Sequence, residues 1–71
     1  MTPASDRADS DRAELSTLRA QLDELVERVT KLATRYDDSD DSAVADDLFA
    51  SERALMTARR TLERATTRLN D

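Results

Sequence analysis

The stretch YDDSDDSAVADD, Tyr36–Asp47, places six aspartates in twelve residues between two long runs of helical periodicity. It admits three readings: a cation loop, an acidic bait for a basic partner, or a solvated turn between helices. A calcium loop begun at Asp38 needs glycine at its sixth place and glutamate at its twelfth; Ala43 and Phe49 stand there. Asp and Ser favour turns and helix caps because their short side chains hydrogen-bond to nearby backbone. The stretch therefore reads as the point where the chain folds back. Asp40, Asp41 or Ser42 can cap a second helix. Asp46 and Asp47 are expected in its first turn, where the helix dipole favours carboxylates by about 0.3–1 kcal/mol each. Asp37 and Asp38, at the unfavourable end of the first helix, help to stop it.

Upstream of the turn, Asp11 and Glu14 have the spacing of a capping box, which predicts a helix over about 11–36. Leu15, Leu18, Leu22, Leu25, Val29, Leu32 and Tyr36 follow at strict three-four spacing, the signature of a coiled-coil seam. Residues 1–9 are polar and aperiodic and read as a disordered lead-in. Downstream, Leu48, Leu55, Leu62 and Leu69 recur at sevens, with Val44, Ser51, Ala58 and Ala65 between them, which predicts a second helix over about 43–69 after a turn at 37–42. Neither segment contains glycine or an internal proline. The expected fold is all-α: an antiparallel two-helix coiled-coil hairpin over 10–71, dimerising into a four-helix bundle.

Antiparallel partners have residue numbers with a constant sum. A sum of 80 centres the fold-back on the polar turn and sets Tyr36 against Val44, Leu32 against Leu48 and Leu25 against Leu55. Leu22 then faces Ala58, Leu18 faces Leu62 and Leu15 faces Ala65, large against small in alternate layers. The same register sets Glu52 beside Arg28 and Arg53 beside Glu27.

Composition removes many functions. With no histidine or cysteine among 71 residues, the usual imidazole base, zinc ligands and disulfides are missing. The lack of glycine excludes phosphate-cradling loops. A net charge of −5 disfavours nucleic acid and anionic membranes as partners, and no apolar run approaches the length of a membrane span. Charge is uneven: residues 1–48 carry six basic and thirteen acidic side chains, and 49–71 carry five and three. Without the apolar core of a signal peptide at the N-terminus, a cytoplasmic location is the default expectation.

A chain this short leaves a lone core marginal, so surplus apolar residues point to a partner. Phe49 and Met56, with Ala45 a turn earlier, flank the second seam, and Val26 with Ala33 flanks the first; these five are the expected oligomer or partner interface. Arg53, Arg60, Arg64 and Arg68, interleaved with Thr57, Thr61 and Thr67, form a stripe suited either to solvent or to an anion or acidic partner. LSTLRAQLDELVERVTKLATR, Leu15–Arg35, resembles the opening helix of the all-helical chorismate mutases around Leu18, Arg19 and Asp23. That family's site requires further Arg and Lys residues and a third helix where this chain has its acidic turn, so only Arg19 carries over and the assignment fails. The expected function is a non-enzymatic interaction module that binds itself and another protein, with no cofactor and no metal. The alternative is a small regulator that binds an anionic ligand through the Arg stripe.

Overall fold

A computed structural model describes residues 3–70, with side chains from Asp6 onward. Two helices, α1 (Pro3–Asp37) and α2 (Ser42–Asn70), pack against each other as an all-α hairpin. At about 1.5 Å per residue they run roughly 52 and 44 Å, within an outline of 61 × 15 × 11 Å. Residues of good helix propensity (Ala, Leu, Arg, Glu) dominate both segments. Helical Thr side chains meet their own hydrogen-bonding needs locally: Thr34, Thr57, Thr61, Thr66 and Thr67 each donate to the carbonyl four residues back.

The turn spans Asp38–Asp41. Ser39 holds it: its Oγ donates to Tyr36 O (2.8 Å) and accepts from Asp41 N (3.1 Å), while Ser39 N also reaches Tyr36 O at 3.1 Å. Val44 N donates to Asp41 O at 2.9 Å, which starts α2. The reversal requires no residue at positive φ, consistent with a turn built without glycine. Because α2 begins at Ser42, its first turn contains no acidic residue. Asp46 and Asp47 therefore lie just past the first turn, where the dipole favours them less.

The start of α1 also differs. The helix begins at Pro3 rather than Asp11 and includes residues 3–9 of the segment read as a lead-in; residues 1–2 lie outside the described part. Proline suits the first helical position because its missing N–H has no intrahelical acceptor there. Asp6 sits favourably in the first turn. Further along, Arg12 pairs with Asp9 and its Nη1 donates to Leu69 O at 3.0 Å. That bond satisfies one of the last carbonyls of α2, which have no acceptor role within their own helix.

The helices meet along a stripe rotated from the one that leucine spacing predicts. Ala33 and Ala45 are fully buried, and they lie near the turn where small side chains allow close approach. Around them Leu15, Arg19, Leu22, Val26, Val29 and Thr30 of α1 are half-buried, as are Leu48, Phe49, Glu52, Leu55, Arg59, Leu62, Glu63 and Thr66 of α2. Leu15, Leu22, Val29, Leu48, Leu55 and Leu62 are common to both phases. The alternate positions change on both helices: 19, 26 and 33 replace Leu18, Leu25 and Leu32, and 45, 52 and 59 replace Val44, Ser51 and Ala58, while Ala65 and Thr66 are both half-buried. The register moves too. Asp23–Arg59, Arg19–Glu63 and Thr30–Glu52 each total 82 in residue number rather than 80.

Candidate functional site

The hairpin has two unlike sides. On one, charged groups close the seam. Arg19 Nη2 of α1 donates to Glu63 Oε1 of α2 at 3.1 Å, and Arg59 Nη1 approaches the same oxygen at 3.3 Å. Arg59 Nε lies against Asp23 Oδ1 as an ion pair without the alignment of a hydrogen bond. Two guanidiniums and two carboxylates thus neutralise one another, each between about a third and a half exposed. Thr30 donates to Glu52 a few turns along. The expected Glu52–Arg28 and Arg53–Glu27 pairs do not occur among the described residues: the register shift gives Glu52 to Thr30, and Glu27 pairs with Lys31 on its own helix at 3.6 Å. Arg19, the one residue that the chorismate mutase resemblance carried over, is committed to Glu63.

The other side is apolar. Leu18, Leu25 and Leu32 recur at sevens one residue before half-buried Arg19 and Val26 and buried Ala33, and Tyr36 follows one turn after Leu32. Val44 stands one residue before buried Ala45. In an antiparallel pair both the chain direction and the viewpoint reverse between the helices. The same one-residue offset therefore turns both rows to the same side of the hairpin. Leu18 (36%), Leu25 (42%), Leu32 (40%), Tyr36 (37%), Val44 (41%) and Leu69 (37%) remain exposed there. Leu18, Leu22 and Leu25 join Leu62 across the seam in lining one apolar groove. Exposed Ser51 and Ala58 and half-buried Ala65 complete the α2 row.

The interface expected at Val26, Ala33, Ala45, Phe49 and Met56 is placed differently. Ala33 and Ala45 are sealed inside the hairpin, Val26 and Phe49 are half-buried along its contact, and Met56 alone of the five is exposed, at 42%. Ala33 and Ala45 thus lie where the two helices meet and offer no surface to a partner.

The arginine stripe is brought together only in part. Arg60 and Arg64 share a shallow depression with Thr57, Thr61, Thr67 and Glu63; Arg53 and Arg68 do not line it. Each threonine hydroxyl there donates to a backbone carbonyl. Thr57 and Thr61 accept from Arg60 and Arg64 at 3.4 Å. The hydroxyl protons are thus committed and a carboxylate faces the same depression, an arrangement poorly suited to gripping an anion. Among the described residues no group of three His, Cys, Asp or Glu side chains is placed to hold a metal, and no helix is long and apolar enough to cross a membrane. The chain is a small two-helix module without recognisable catalytic features among the described residues. Comparison with protein-family models, curated proteins and solved structures gives no significant match.

Sequence reasoning missed three contributors: Arg12 on the Leu69 carbonyl, the Ser39 clamp, and the Arg19–Asp23–Arg59–Glu63 cluster. Only the last left a usable signal, since Arg19 and Asp23, like Arg59 and Glu63, are four apart on one helix face.

Proposed function

We infer that this protein is a non-enzymatic helical interaction module of the cytoplasm whose working surface is a face of the hairpin and whose partners include a second copy of itself. The observation that carries this reading is the contrast between its sides. Charged groups that meet across the helices are paired with opposite charges, whereas large apolar side chains stay in water. Proteins bury apolar surface for affinity and use paired charges for selectivity. An enzyme instead gathers unsatisfied polar groups in a cavity. Sedimentation equilibrium across a micromolar range tests the reading: a weight-average mass rising from 8.0 kDa toward twice that value is expected. A concentration-independent 8.0 kDa species with full helicity would refute self-association.

A further inference from the structure

We propose that the apolar side of the hairpin, centred on Leu18, Leu25 and Leu32 of α1 and on Val44, Ala58 and Leu69 of α2, is the face on which a second copy docks to complete a two-layer, four-helix bundle. The proposal rests on the self-association inferred above and assigns its surface. Among the described residues, Met56 is the one exposed large apolar side chain that lies elsewhere.

Area favours a second copy as the occupant. A folded protein of 8.0 kDa is expected to expose roughly 4,450 Å², whereas this hairpin exposes 5408 Å². The excess, roughly 950 Å², is close to the about 800 Å² that each partner buries in a standard interface. The excess has a shape: the hairpin is a single helical layer with a thinnest extent of 11 Å, whereas stable domains stack at least two layers around a core. A second hairpin laid on the apolar side supplies that layer, and the leucines of the groove at Leu18, Leu22, Leu25 and Leu62 become its centre.

Charge favours the same occupant. Bordering the apolar side on α1 is the row Glu14, Gln21, Arg28, Arg35, acidic toward the open end of the hairpin and basic toward the turn. Bordering it on α2 is Asp47, Ala54, Thr61, Arg68, acidic toward the turn and basic toward the open end. All eight are exposed. Two hairpins can stack face to face about a twofold axis along the helices or across them. The first sets Glu14 against Arg68 of the other copy and Arg35 against Asp47. The second sets Glu14 against Arg35 and Asp47 against Arg68. Unlike charges meet in both, as an isologous interface requires.

The test compares Leu25→Lys, on the proposed face, with Met56→Lys, on the opposite flank, in the full chain by sedimentation equilibrium. Leu25→Lys places two unpaired ammonium groups at the centre of the dimer, so association should weaken on the order of a hundredfold or more, while Met56→Lys keeps the wild-type constant. A dimeric Leu25→Lys beside a monomeric Met56→Lys would overturn the assigned face and leave self-association standing. A wild type that stays monomeric and helical would overturn both. If Leu25→Lys fails to fold, the unmodified protein still decides. Tyr36, the single tyrosine in a chain without tryptophan, lies on the proposed face, and acrylamide quenching of its emission should fall several-fold as concentration rises through the association range. Quenching unchanged across that range in a dimerising protein would overturn the proposal.

Discussion

Ala33→Leu tests the rotated contact between the helices most directly, because the two phases of the seam assign opposite signs to its effect. With Ala33 on an open flank, as leucine spacing suggests, a larger apolar side chain adds partner surface and leaves the hairpin intact. With Ala33 fully buried near the fully buried Ala45, the three added carbons have no space to enter. Were there room, they would contribute about 2 kcal/mol at about 0.8 kcal/mol per buried CH₂. Without it, the leucine either turns out to solvent or pushes α1 and α2 apart, loosening half-buried Val29, Leu48 and Phe49 nearby. Overpacking of this kind costs about 1–3 kcal/mol. For a domain of this size each kcal/mol lowers the melting temperature by about 4–8 °C, so a loss of about 2 kcal/mol corresponds to roughly 8–16 °C. Thermal unfolding followed by far-ultraviolet circular dichroism at matched concentration measures it, with exposed Ala20→Leu as the control expected to change stability by less than about 0.5 kcal/mol. An Ala33→Leu protein melting at or above the wild-type temperature would refute the buried placement of Ala33 and the seam phase built on it.

Two further perturbations probe the polar parts of the hairpin. Glu63→Gln removes the carboxylate shared by Arg19 and Arg59; because these pairs are partly exposed, the loss should be about 1 kcal/mol in urea unfolding at low salt and should shrink in molar salt. A salt-independent loss would mean that packing rather than charge is responsible. Ser39→Ala deletes both side-chain bonds of the turn and should destabilise by about 1 kcal/mol; an unchanged urea midpoint would show that water replaces the hydroxyl without cost.

The helices, their antiparallel return and the place of the turn were legible because local rules govern them. Uninterrupted helix formers, the Asp/Ser-rich stretch and the absence of glycine all act within a few residues. The beginning of α1 was not, because what supports its early turns includes Arg12 reaching the carbonyl of Leu69, a contact between the two ends of the chain. The phase of the seam was misread for a different reason. Three-four spacing is satisfied equally by 18, 25, 32 and by 19, 26, 33, and a preference for large apolar residues selects the leucines. The structure instead closes on Ala33 and Ala45 and lets Arg19, Glu52, Arg59 and Glu63 fill seam positions, because charges that complement one another across the helices can occupy a partly wet edge. Apolar spacing alone does not register that pairing, whose trace in the sequence is the four-residue spacing of Arg19 with Asp23 and of Arg59 with Glu63.

The same choice explains why the apolar stripe is wider than one contact needs. A helix that touches one neighbour requires a narrow stripe, and a helix in a bundle touches two and requires a broader one. Here the stripe cannot broaden toward the charged edge, where Arg19, Asp23, Arg59 and Glu63 are committed to one another. It broadens the other way, through Leu18, Leu25 and Leu32 on α1 and Val44 on α2. Those residues contribute little while they remain in water, and they gain their hydrophobic stabilisation only when covered. Under the proposed docking, folding and assembly are two stages of burying one stripe, and a change at Leu25 should reach the stability of the hairpin through its assembly, whereas a change at Ala33 should reach assembly through the hairpin.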